Sequence, residues 1–406
     1  MNDTFISSYV AKKETQTLII PENAVTIRAT ATATTNVVIN NNVQEIARGI
    51  SLLSKKVGTL GNSVNRVAPT PSIHIPMKSI AVVGHEWNMY FDNVIRCKNI
   101  DDYDVRVTIS PNITGANVYN DCLRITPTEI GNYIVTIMLC DKVTNDSIIE
   151  KSFTLYVIAD TVVSDKNVIF IGDSLTDTAI YPAEIQHNLS SGGITSLGTR
   201  TGTPTVGGKT LTVSHEGRGG WRVRDYFTAA AYDILNPFYN PDTETFDFSY
   251  YMNTQGYTSV DLVNIFLGTN GVQNEDNVSG IKAMIDSIHF YDPNIIILIT
   301  LINLPSTQNG WGYKSGIASA YNFKYKTMEL NDAYIKNFEG TYDNVDISEV
   351  YLALDTKHDY GTIMVPASAR NPIEIEMQTN NVHPNGNGYL KFADVIYNNI
   401  LYHLTK

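Results

Sequence analysis

The sequence is poor in the features that place a chain in a membrane, on nucleic acid or inside a disulfide scaffold. No apolar run reaches the roughly 18 residues of a membrane span. The best candidate, "IIILITLINL" at 295–304, is bracketed by "DPN" and "PST" and has the length of a buried strand. Only 17% of residues are charged, and 29 Lys and Arg face 41 Asp and Glu, for a net charge of −12. That balance argues against nucleic acid and against an anionic membrane surface as partners. There are three cysteines, Cys97, Cys122 and Cys140, all in one segment. An odd, clustered set argues against a disulfide framework. A single Cys122–Cys140 pair stays open for an oxidising setting, and buried reduced thiols are the expectation. The opening "MNDTFISSYVAKKETQ" lacks the basic-then-apolar pattern of a signal peptide. The chain is therefore expected to be made in a reducing cytosol, or to leave it by another route. No metal-ligand cluster, phosphate-cradling loop or dinucleotide fingerprint stands out, so no cofactor and no metal are expected.

What is present is enough apolar material for real cores: 43% of the 406 residues, a length that suits two or three domains. Three textures follow one another. Residues 1–70 are rich in Thr, Asn, Val and Ala, with strand-like stretches such as "TLIIP". They also carry Val43, Ile46, Ile50, Leu53, Val57, Leu60, Val64 and Val67, whose steps alternate three and four without error. This is the apolar seam of a coiled coil over 43–67, in an N-terminal attachment region. Gly49, Gly58 and Gly61 each cost a helix about 1 kcal/mol relative to Ala, so the helix needs partners. An oligomeric seam and an amphipathic helix folded onto its own domain both fit, and the pattern alone does not establish a trimer.

After the linker "APTPS", short alternating runs fill residues 73–160: "SIAVV", "WNMYF", "VRVTISP", "CLRITP", "YIVTIML" and "SFTLYVI". They predict a small β-sandwich. The stretch "ITPTEIGNYIVTIMLCD", with Tyr133 in the corner position, resembles the Gly-x-Tyr strand of bacterial immunoglobulin-like domains. From 166 onward "VIFI", "LVNIFL" and "IIILITLI" alternate with helical stretches, which predicts a parallel α/β sheet covered on both faces over 166–406. Ligands in such sheets bind beyond the carboxyl ends of the strands.

Four short motifs fall at or near such ends. "VIFIGDSLTD" places Ser174 just past a strand, and "SHEGRGGW" places Gly217 after another. "VNIFLGTNG" does the same for Asn270, while "NNVHPNGNGY" puts His383 in a loop before the last helix. Singly, each has a plain structural reading: a helix-capping serine, a glycine turn, an asparagine bonding its own loop, a structural histidine. Together they supply a hydroxyl nucleophile, a base to take its proton, and N–H donors for a developing oxyanion.

In this order and spacing the motifs resemble the GDSL esterases, or SGNH hydrolases. The resemblance spans about 240 residues and implies a flavodoxin-like three-layer α/β/α domain. It implies Ser174 as nucleophile, His383 as general base, and an oxyanion hole made of the Ser174 N–H, the Gly217 N–H and Asn270 Nδ2. The family's last motif usually reads Asp-x-x-His, whereas Asn380 stands three residues before His383. Its amide oxygen is expected to accept the Nδ1–H bond without supplying a charge, with Glu374 or Glu376 as substitutes. "NPFYN", "FDFSYYM" and "HEGRGGW" further resemble the branch that deacetylates carbohydrates. Trp221, Tyr226, Trp311 and Tyr313 lie in loops near the motifs, where aromatics either stack on sugar rings or pack loops onto the sheet.

Stalk, immunoglobulin-like spacer and esterase in one chain resemble a bacteriophage tail or receptor-binding protein. That resemblance implies a virion protein assembled in the host cytoplasm and acting at the host cell surface. Its partners would be a bacterial surface glycan, other tail proteins bound through the N-terminal region, and further copies of itself, a trimer rather than a dimer. Two functions are expected: an esterase that removes O-acetyl groups from bacterial polysaccharide, or a receptor-binding protein that keeps the crevice for glycan recognition with impaired turnover.

Overall fold

The computed structural model describes residues 70–405, apart from 98, 273–275 and 308–319. The attachment region 1–70, its 43–67 heptad, Trp311 and Tyr313 thus lie outside the described residues (Thr70 excepted). Residues 71–406 form one compact unit.

Strict alternation builds the first half of that unit. In strand Gly131–Asp141, Tyr133, Val135, Ile137 and Leu139 are buried. Strand Ser147–Ile158 pairs with it and buries Phe153, Leu155 and Val157 on the same side. With Lys78–Val82 and Tyr103–Ser110 they make a four-stranded sheet. Strands Trp87–Tyr90, Cys122–Ile125 and Ala116–Val118 make a second sheet of three. Trp87 reaches across to Phe153, ring centroids 5.9 Å apart, so the two inner faces share one core. Each run read between residues 73 and 160 overlaps a strand, with Phe91 opening the short helix Phe91–Val94, and the three-residue Ala116–Val118 was not anticipated. Cys97, Cys122 and Cys140 are buried and free.

In the second half the strands are apolar on both faces: Val168, Ile169, Phe170 and Ile171 have no exposure. Strand Lys166–Gly172 is central. It pairs in parallel with Leu262–Phe266 on one side, and on the other with Ile194–Leu197 and then Val213–Gly217. Ile296–Thr300 and Val345–Ser348 continue the sheet beyond Leu262–Phe266, again in parallel. With Ile194–Leu197 and Val213–Gly217 sharing the second position, alongside successive parts of the central strand, the spatial order 2-1-3-4-5 is that of a flavodoxin-like sheet, whose direction of winding reverses beside the first strand. Right-handed crossovers then put helices on opposite faces. Ile180–Glu184 packs with the final helix Gly386–Leu404, while Phe248–Gln255, Asn277–Tyr291 and Ala320–Phe338 pack in series. The winding reverses between the ends of Lys166–Gly172 and Leu262–Phe266, where the Ser174 and Asn270 loops emerge.

The two halves are joined by buried polar contacts. Asn93 Nδ2 donates to the carbonyls of Tyr351 and Leu354, both at 2.7 Å. Glu339 accepts the Met77 N–H at 2.9 Å, and Lys78 pairs with Asp346, which also holds His403 at 2.8 Å. Fully buried Glu349 accepts the Ser79 hydroxyl and, at 3.3 Å, Asn399 Nδ2. These buried hydrogen bonds and ion pairs fix one packing geometry between the halves. Among the described residues no helix is long and apolar enough to cross a membrane.

Candidate active site

The nucleophile position follows from a glycine. A Cβ on Gly172 would overlap Thr176 Oγ1 and come within 2.9 Å of the Phe266 carbonyl, so only glycine lets the chain turn out of the sheet here. Asp173 then caps the short helix Ser174–Asp177, its Oδ1 accepting the Leu175 N–H at 2.9 Å. Burial pushes this carboxyl up to about 7. Ser174, half-buried, starts the helix.

His383 comes from 209 residues further along, and its Nε2 lies 2.7 Å from Ser174 Oγ. Its loop is held at several points. Thr379 N–H donates to Gly361 O at 2.8 Å and Asn385 N–H to Asp359 O at 2.7 Å. Asn303 Nδ2 donates to Val382 O at 3.1 Å. Burial lowers the His383 pKa below its ordinary value, which keeps the ring neutral at neutral pH.

Asn380 does not act as the sequence suggested. Its Oδ1 already accepts the N–H groups of Val382 at 2.8 Å and His383 at 3.0 Å. The amide nitrogen therefore faces His383 Nδ1, 3.3 Å away. A neutral imidazole that accepts this bond carries its proton on Nε2, the nitrogen aimed at Ser174. To take the serine proton, the ring must first move its own proton to Nδ1, where N–H meets N–H. Rotating the amide instead would face two backbone N–H groups with an NH2. Glu374 and Glu376 do not replace it: both are exposed on the hairpin Thr362–Gln378, and Glu376 accepts the Thr362 hydroxyl at 2.7 Å.

The expected oxyanion donors are placed unequally. Asn270 follows Gly268, whose φ of +135° excludes other residues, and its Nδ2 donates to Trp221 O at 3.2 Å. The second Nδ2 proton is not needed for that bond. Gly217 is a correction: its N–H donates to His215 Nδ1 at 3.1 Å and is not available to a substrate. Burial holds His215 down to about 4, so the ring is neutral, and the Gly217 N–H donating to Nδ1 puts the ring proton on Nε2. The N–H groups of Gly219 and Gly220, in the turn closed by Trp221 N–H to Arg218 O at 3.2 Å, have no partner among the described residues.

Trp221 and Tyr226 are a second correction, since both are fully buried. Tyr226 donates its hydroxyl to Gly172 O at 2.8 Å and Glu216 O at 2.7 Å, tying the nucleophile strand to its neighbour. Arg218, 2% exposed, pairs with Glu216 at 2.6 Å and lies over the Trp221 ring. Tyr251 donates to the same carboxylate at 2.8 Å. These aromatics hold the glycine turn from beneath. The Glu216–Arg218–Tyr251 network was missed in the sequence, where the only trace is an acid and a base flanking Gly217. Among the described residues no cluster of His, Cys, Asp or Glu could hold a metal ion.

No family model matches the chain, and no curated protein does. Similar solved structures exist. A family 3 carbohydrate esterase of Clostridium thermocellum is 17% identical, with a TM-score of 0.37, over 59% of this chain and 99% of its own. An extracellular lipase of Streptomyces rimosus is 12% identical, with a TM-score of 0.33, over 58% of this chain and 99% of its own. Descriptions of other similar structures name SGNH hydrolases and GDSL-type lipases.

Proposed function

We propose that the protein is a serine esterase that removes O-acetyl groups from a bacterial surface polysaccharide, with Ser174 as nucleophile and His383 as base. One observation carries the reading: the 2.7 Å contact between Ser174 Oγ and His383 Nε2, at the strand ends where an α/β sheet binds its ligand. Ser174 attacks the ester carbonyl, and the oxyanion meets the Ser174 N–H, the free Asn270 proton and the open N–H groups of Gly219 and Gly220. His383 takes the serine proton and returns it to the leaving sugar hydroxyl. Water then releases acetate by the same route.

A second reading, favoured by the Asn380 amide nitrogen at His383 Nδ1, is a glycan-binding protein of low turnover. The tautomer shift asked of His383 loses one hydrogen bond and opposes two N–H groups, a barrier increase of a few kcal/mol. In a serine protease the corresponding Asp-to-Asn change costs about 10⁴ in rate. We place the protein in a phage tail, acting at the host surface and oligomerised through residues 43–67. The support for this is the order of stalk, small β module and esterase in the sequence.

Acetate release tests the function. Full-length protein and Ser174→Ala are given a short aryl acetate and an O-acetylated cell-wall polysaccharide. Release that vanishes in the variant supports the esterase. Polysaccharide binding without any release would instead leave the low-turnover receptor.

A further inference from the structure

We propose that Tyr232 is the surface on which a sugar ring of the substrate stacks, an aromatic wall beside the oxyanion turn that selects carbohydrate esters. The proposal rests on the reading of Ser174 as an esterase nucleophile acting at this crevice.

Tyr232 and Asp233 are the two turn residues between strands Ala230–Ala231 and Ile234–Leu235, where Ala231 pairs with Ile234. Their φ angles are +52° and +61°. A two-residue hairpin turn with both angles positive favours Asn-Gly or Asp-Gly, because a Cβ is strained there. A tyrosine in the first position is thus a local cost, and the structure does not recover it by burying the ring, which is 62% exposed. Strain kept at an exposed aromatic is the pattern of a functional position.

Its location supplies the function. The ring edge lies 3.7 Å from where a Cβ on Gly220 would be. Gly220 belongs to the turn with the open N–H groups, and the next residue, Trp221, receives the Asn270 amide. The hairpin that carries the ring is also held. The Arg222 guanidinium near the phenol is fixed by Asp225, its Nε donating to Oδ2 at 3.3 Å. The hairpin base is fixed by Asn236 Nδ2, which donates to Tyr226 O at 2.6 Å and Thr228 O at 2.9 Å. A ring carried on a hairpin ordered before binding loses little entropy when a ligand covers it, since only two side-chain torsions remain to be fixed. Its apolar face suits the C–H face of a pyranose, while the phenol, Arg222 and Asp233 around it suit hydroxyls rather than an acyl chain. Trp221 and Tyr226, buried beneath, offer no face to a ligand.

The test uses full-length Tyr232→Asn, which suits the turn better than tyrosine, and Tyr232→Phe. With the O-acetylated cell-wall polysaccharide, Tyr232→Asn should raise KM about tenfold and move kcat much less, at an equal or higher Tm. Tyr232→Phe should restore KM to within about twofold. In the Ser174→Ala background, Tyr232→Asn should weaken polysaccharide binding by the same factor. An unchanged KM in Tyr232→Asn overturns the proposal, as does an absence of polysaccharide binding by Ser174→Ala. A fall in Tm that Phe does not rescue would assign Tyr232 a structural role and also overturn it. If Ser174→Ala still releases acetate, the esterase reading fails by itself, and the binding comparison still judges Tyr232.

Discussion

Asn380 presents its amide nitrogen, and not its oxygen, to Nδ1 of His383 at 3.3 Å. A carboxylate at this position would keep one oxygen on the Val382 and His383 N–H groups and turn the other to accept Nδ1–H. Asn380→Asp should then hold the tautomer with a free lone pair on Nε2 and stabilise the imidazolium. Its kcat for an aryl acetate should exceed that of the natural chain by roughly 10²–10⁴, read by stopped or continuous acetate assay. Equal rates in the two chains would show that the Asn380 geometry does not limit turnover.

The base must be neutral to act, and burial lowers the His383 pKa. Activity should therefore be full at neutral pH and fall only as pH drops below about 6.5, the ordinary imidazole value. The added charge in Asn380→Asp favours the imidazolium and should move this acid limb of kcat/KM upward. A limb above 7 in the natural chain would contradict the buried, uncharged surroundings of the ring.

Two glycines in one motif should respond differently to alanine. On Gly217 a Cβ would collide with the backbone of Thr176 and Asp177, so Gly217→Ala should unfold at clearly lower temperature. On Gly219 a Cβ meets only Asp177 Oδ2 at 3.4 Å, so Gly219→Ala should fold with a Tm within a few degrees of the natural chain. Calorimetry on both variants decides whether Gly217 is structural.

Trp221→Ala should act on stability. The ring has no exposure and packs edge-on against Tyr226, centroids 4.9 Å apart. Its removal should cost about 3–5 kcal/mol in urea unfolding. A stable variant with a selectively raised KM would restore it as a substrate contact.

Glu349 gives the joint between the two halves a pH dependence. Burial pushes its carboxyl up to about 7, above the usual 4.5. A raised acid pKa means that the folded state binds more protons than the unfolded chain between those values. Stability from this group is thus present at low pH and is lost as pH rises through about 7. Glu349→Gln should flatten that decline, raising Tm at pH 8 while changing it little near pH 4. A variant whose Tm falls equally at both would show that the hydrogen bonds to Ser79 and Asn399 outweigh the charge.

Much of this molecule was open to reading without coordinates, because local periodicity is a local property. Alternation at 133–139 and 152–158, and unbroken Val/Ile runs at 168–171 and 297–299, depend only on which faces a strand must bury. The order of Ser174, Gly217, Asn270 and His383 along the chain was likewise visible, each marked by a turn of small or polar residues.

What only the tertiary structure decided is which atoms remain free. The Asn380 oxygen was expected at His383 Nδ1, but two backbone N–H groups of its own loop compete for it and win. The Gly217 N–H was expected in the oxyanion hole, yet the lone pair of His215 claims it. Trp221 and Tyr226 were legible as aromatics beside a motif, and their burial came from elements far along the chain. Tyr232 carried no motif at all; its ring edge comes beside Gly220 on a hairpin whose base Asn236 anchors. Periodicity determines which strands and helices form, whereas the loop conformations that let Asn380 and Gly217 bond residues two or three positions away, and the burial of Trp221 and Tyr226, are settled by the packing of the whole fold.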